Sequence, residues 1–191
     1  MSNDQAMNRL DYGASMSHSE LVEAVLRAWN DQVYADGARY AVGREAESAA
    51  EVAEFERALV DFEQRHDLRL PPAFRALYRR SDGTGLMDAN EIIFWPFDNI
   101  AAQLDINAQP EADAVWLQFA DFRLGARQFL LRLHRAGASD RPVPVHAYAP
   151  YPPGPFLDGT SPLADSFEDF LQLYLTEPDR VVGRATDGRS A

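Results

Sequence analysis

The chain has 191 residues, 46% of them hydrophobic, which is enough for one sizeable core and too few for two comfortable domains. It has no cysteine, which excludes disulfides and thiolate-bound metals, and no run approaches the roughly 18–20 apolar residues that a membrane span requires. Thirty acidic residues stand against eighteen basic ones, all arginine, for a formal net charge of −12; such a field disfavours binding to a phosphate backbone, and it either steers a basic partner inward or serves solubility alone.

Residues 1–17 are polar, lack the apolar stretch of a secretory signal and read as the flexible N-terminus of a cytoplasmic protein. Residues 18–176 then read as a single domain, and 177–191 as a frayed tail. Ser17 or Ser19 caps a first helix whose apolar stripe, Leu21, Val22, Val25, Leu26, Trp29 and Val33, runs to about Asp36-Gly37. Arg39 to Gly43 is an extended connection by pattern. Ser48-Ala-Ala-Glu51 has the spacing of a capping box and precedes a second stripe, Val52, Phe55, Leu59 and Phe62. The other face of that helix carries Glu54, Arg57, Asp61 and Arg65, a solvated set spaced for pairing along the helix. Pro71 and Pro72 suit a helical first turn, Phe74, Leu77 and Tyr78 share a face, and Gly83 is expected to supply the left-handed residue that stops this short helix.

Beyond Gly83 the β-branched and aromatic content predicts a strand at Glu91–Trp95, ended by Pro96, with a helical turn or two at Asp98–Leu104 and a surface loop from Asn107 to Asp113. Val115–Phe119 and Gln128–Leu133 form an antiparallel pair, and Val143–Tyr148 a further strand that Pro144 restricts to a sheet edge. Ala149 to Phe156 is proline-rich and stiff, suited equally to a recognition loop and to a spacer. A last helix, capped by Asp165 or Ser166, presents Phe167, Phe170, Leu171 and Tyr174 on one face. Segregated helices and strands of this kind predict an α+β fold with a mainly antiparallel sheet of about four to six strands, helices packed against it at both ends of the chain.

Several short signals in this order resemble the SUKH superfamily, which includes bacterial immunity proteins and a yeast regulator of cell-wall synthesis. They are Phe55-Glu56 on a helix, Leu70-Pro71, the aromatic pair Phe74 and Tyr78, the Asp82-Gly83 exit with aspartate where asparagine is commoner, and the closing Ser166-Phe-Glu-Asp-Phe-Leu171. The resemblance implies a non-catalytic, cofactor-free protein that binds and neutralises a cognate toxin, often a nuclease or other nucleic-acid-targeting effector, or else a regulatory scaffold that binds cellular proteins. An acidic surface facing a basic toxin gains association rate and specificity. Candidate contacts are Asp82, Asp88 and Glu91 after the short helix, Asp105, Glu111 and Asp113 in and before the loop at 105–113, and the aromatics Tyr148, Tyr151 and Phe156 of the proline-rich segment.

An enzyme is the rival class. The chain lacks a Gly-rich phosphate loop, a zinc-protease helix motif, a nucleophile elbow and a thiol nucleophile. Of its four histidines, His134 and His146 lie in or beside strands and form half a metal site if a hairpin brings them together with a carboxylate.

Overall fold

A computed structural model of the chain describes residues 16–34, 37–107, 114–135, 142–149 and 161–184, with side chains omitted at 105–107 and 114. The first helix, α1 (His18–Asn30), starts at Ser17, whose hydroxyl accepts from Glu20 N while the Glu20 carboxylate accepts from Ser17 N at 2.9 Å. It stops six residues before Asp36. The Gln32 side chain turns back to donate to Ala28 O at 2.6 Å and accepts from Ala89 N, and this buried amide fixes the chain in an extended course. Val33 therefore leaves the helical stripe and is 49% exposed. Two short strands, β1 (Gln32–Val33) and β2 (Arg39–Tyr40), pair antiparallel, and β3 (Gly43–Glu45) follows.

Helix α2 (Ala49–His66) takes its N-cap from Ser48, but the box is incomplete: Glu51 reaches Glu47 N, at 2.5 Å, instead of the cap amide. Only Leu59 and Phe62 of its stripe are buried, with Val52 and Phe55 half-covered. Glu54, Arg57, Asp61 and Arg65 form no ion pairs with one another, and Arg57 Nε donates instead to Ala53 O. Helix α3 (Pro72–Tyr78) begins on the two prolines as expected, with Ala73, Phe74, Leu77 and Tyr78 buried.

Gly83 does not stop α3. The helix ends in ordinary right-handed geometry at Arg79, and Gly83 lies within β4 (Ser81–Thr84), antiparallel to β3. Its φ is +73°, and a Cβ there would sit 2.5 Å from Phe94 O and 2.7 Å from Trp95 O. Close backbone approach between strands, together with the positive φ, is what demands glycine.

The main sheet has the order β5-β6-β7-β8, all antiparallel, built from β5 (Ile92–Phe94), β6 (Ala114–Phe122), β7 (Arg127–His134) and β8 (Val145–Tyr148). The edge position expected for the last strand holds; Pro144 sits just outside it, and Val145 N donates to Ala164 O. A bulge between Gln118 and Ala120 shifts the β6–β7 register, so the adjacent Phe119 and Ala120 are both fully buried. Between β5 and β6, α4 (Phe97–Asn107) is longer than the one or two turns predicted.

Helix α5 (Phe167–Thr176) is capped by Ser166, whose hydroxyl accepts from Asp169 N. The chain then continues into α6 (Pro178–Val182), with Val181 and Val182 buried, so the expected tail does not begin at 177. Helices α1, α3 and α5 pack together over one sheet face. The core is aromatic: Phe119 meets Phe74, Phe167 and Phe170 at 6.3, 5.3 and 5.2 Å between ring centroids, Phe170 meets Phe129 at 5.4 Å, and Trp29 meets Phe94 at 4.9 Å. Edge-on and tilted ring contacts of this type add to the area they bury. The fold is mixed α+β with antiparallel sheets, as predicted.

Candidate partner-binding surface

The predicted contacts around the exit of α3 divide sharply once placed in three dimensions. Asp82, on β4, is half-buried: one carboxylate oxygen accepts from Phe97 N at 2.7 Å and the other lies 3.5 Å from Arg44 on β3. It caps the N-terminus of α4 from a distant strand, where an acid also meets the helix dipole favourably. Desolvation raises its pKa, the Phe97 amide and Arg44 pull it down, and nearby Asp98 pushes it up again. Asp98 is exposed in the first turn of α4, so the two carboxylates make a small acidic edge at the β4–α4 junction.

Asp88 is not a surface residue. It is 2% exposed, accepts from Asn90 N and Ile92 N at 2.8 Å each, and accepts from the Tyr174 hydroxyl of α5 at 2.6 Å. Desolvation raises its pKa against those bonds. It organises the turn before β5 and ties that turn to the C-terminal helix, which removes it from the candidate contacts.

Glu91 precedes β5 at φ +65° and shares its carboxylate between Arg123 (2.7 Å) and Arg184 (2.6 Å), the Arg123 hydrogen bond leading the causes that hold its pKa low. Asp105 falls on α4, and Tyr148 is half-buried in β8. Glu111, Asp113, Tyr151 and Phe156 lie outside the described residues, as does most of the proline-rich segment.

The half metal site does not assemble. His146 is in register with Leu130 and His134 with Ala114, so four positions of β7 separate them, about 13 Å at the strand rise. His146 is buried, its ring edge-on to Trp116 at 5.0 Å, with Nδ1 lacking a partner; desolvation first and Arg132 second depress its pKa. Among the described residues no three His, Asp or Glu side chains gather as metal ligands. No described helix is long and apolar enough to cross a membrane.

One feature escaped the sequence. A groove of about 870 Å³ runs between α2 and α3, lined by Glu56, Glu63, Asp67, Arg69, Arg75 and Arg79 among others. Arg75 bridges its walls, reaching Glu56 and Glu63 at 2.5 Å each, while Glu63 also accepts from Leu70 N at 2.7 Å. The seven-residue spacing of Glu56 and Glu63 places them on one helix face, a signal that was present, but their cation lies on the next helix. These ion pairs neutralise one another and brace the α2–α3 corner; the groove holds neither a nucleophile nor a metal set.

Sequence comparison supports what the residue order and the architecture suggest. No curated protein matches the chain. A family model described as the SMI1 / KNR4 family (SUKH-1) matches residues 55–173, from the middle of α2 to α5, with Phe55-Glu56, Leu70-Pro71 and Ser166–Leu171 all inside the match. More than half of the chain is covered, and the protein belongs to the SMI1 / KNR4 family (SUKH-1).

Proposed function

We propose that the protein is a cytoplasmic, non-catalytic immunity protein that binds and neutralises a cognate bacterial toxin, a nuclease or other nucleic-acid-targeting effector. Family membership carries this reading, and a net charge of −12 is its electrostatic counterpart, because a nucleic-acid-acting toxin presents a basic surface. The contacts proposed are Asp82 at the β4–α4 edge and Asp105 on the same helix, with Glu91, Glu111, Asp113, Tyr148, Tyr151 and Phe156. Asp98, exposed beside Asp82, joins them. Asp88 does not, being buried.

Under this reading a toxin gene should lie beside this one, and co-expression with it is the test. The expected outcome is relief of growth inhibition through a complex that weakens as salt rises, since exposed charges more than about a Debye length apart are screened. Replacing Asp82 and Asp98 by their amides should slow association. Absence of both rescue and a complex refutes the assignment.

A further inference from the structure

Arg127 opens β7 opposite Phe122, and its half-buried guanidinium lies against Gly183 at the end of α6: a Cβ at Gly183 would come within 2.2 Å of Nη1. Burial holds its pKa below the usual arginine value, and no carboxylate or hydrogen-bond acceptor among the described residues pairs with it. A partly desolvated cation with no counter-ion costs free energy. On a protein this acidic, the lack of a counter-ion among the described residues requires a reason.

Its surroundings supply one. Arg123 and Arg184 stand over the Phe122 ring at 5.0 and 5.7 Å and divide one carboxylate, Glu91, between them; Asp179 adds a contact at 3.4 Å to Arg184. Arg123, Arg127 and Arg184 thus face Glu91, Asp179 and the turn carboxylate Asp121, a locally balanced set in which the cation without an ion pair among the described residues is Arg127. At the tip of the turn Leu124 is 78% exposed with φ +53°, between Arg123 at +50° and Gly125 at +97°. Left-handed geometry favours Gly, Asn or Asp, and Leu at such a position is uncommon. The turn is nonetheless pinned: Gly125 N donates to Asp121 at 3.0 Å and Arg123 N to Glu91 O at 3.0 Å.

We propose that Arg127, Arg184 and Leu124 form a docking surface for a near-neutral segment of a partner protein that brings a carboxylate to Arg127 and an apolar side chain to Leu124. Arginine is enriched among the residues that dominate interface energetics, and Leu124 adds exposed apolar area beside it. A nucleic acid or an anionic membrane is disfavoured, because a polyanion meets the repulsion of the −12 charge over its whole length, whereas one carboxylate on a short segment does not. This surface is separate from the acidic β4–α4 edge, adjoins the proposed toxin contacts only at Glu91, which Arg184 holds, and does not depend on the toxin assignment.

The full-length protein, labelled for arginine Nε–H and leucine methyl signals, is titrated with a blocked hexapeptide carrying one glutamate beside a leucine–phenylalanine pair. Saturable shifts are expected at Arg127, Arg184 and Leu124. Arg127→Gln should weaken binding about tenfold, the loss of one charge-assisted contact, with a melting temperature no lower than the parent's, because it removes an uncompensated charge and no hydrogen bond or ion pair among the described residues. Leu124→Ser should weaken it independently. The proposal is overturned if the glutamine version of the peptide binds equally well, if Arg127→Gln binds like the parent, if no shift occurs, or if inorganic phosphate at the same concentration reproduces the shifts.

Discussion

Asp88→Ala tests whether this carboxylate holds the fold together or meets a partner. The substitution removes an acceptor that serves two amides at 2.8 Å and the Tyr174 hydroxyl at 2.6 Å, in a site 2% exposed where water cannot easily replace it. Hydrogen bonds to a charged group contribute about 1.5–3 kcal/mol each. Taking the low end for each, and allowing for the desolvation that already strains the carboxylate, the loss is about 3–4 kcal/mol, or roughly 6–16 °C in Tm for a chain of this length. Tyr174→Phe deletes only one of the bonds and should cost about 1.5 kcal/mol. Because both variants remove the same contact, the double variant should fall short of the sum by about 1 kcal/mol. Urea unfolding followed by fluorescence of Trp29, Trp95 and Trp116 measures all three. A loss below about 1 kcal/mol for Asp88→Ala, or a cycle without coupling, refutes the structural role. A folded Asp88→Ala protein that loses partner affinity without losing stability would return the residue to the binding surface.

Gly83→Ala and Gly37→Ala separate two glycine requirements. Both have positive φ, but a Cβ at Gly83 meets backbone oxygens while one at Gly37 meets nothing within 4 Å, so thermal melts should show a severe loss for the first and only about 1–2 kcal/mol for the second. Phe170→Ala, which empties the site between Phe94, Phe119, Phe129 and Phe167, should cost about 3–5 kcal/mol; a smaller loss in urea unfolding would mean that the aromatic cluster collapses to fill the space. His146 has a folded-state pKa below its unfolded value near 6.5, so the unfolded chain binds the extra proton and stability drains as pH falls from about 6.5 toward the depressed value. His146→Phe should flatten that part of the urea-midpoint profile, and an unchanged slope would show that the imidazole is not held neutral. The raised pKa values of Asp82, Asp88 and Asp121 act with the opposite sign: the folded state holds their protons longer, so their contribution falls as pH rises from about 4 through the folded-state values.

Local signals were reliable wherever their partners lay within a turn or two. The caps at Ser17, Ser48 and Ser166, the prolines opening α3 and the Phe167–Phe170–Tyr174 face are all set by spacing and backbone chemistry, and with Phe55-Glu56 and Leu70-Pro71 they sufficed to indicate the fold class and the family, although the box expected at Ser48–Glu51 is only half formed. What depends on contacts distant in sequence was decided only in three dimensions. Gly83 has the composition of a helix stop but is required by the carbonyls of Phe94 and Trp95 across a strand gap. Asp82 caps a helix fifteen residues away, Asp88 is sealed in by a tyrosine eighty-six residues away, and Arg127 meets no carboxylate among the described residues through an arrangement that no spacing encodes. An acidic side chain looks alike in any sequence window; whether it faces a partner, a cation or the core is fixed by the packing of elements remote along the chain.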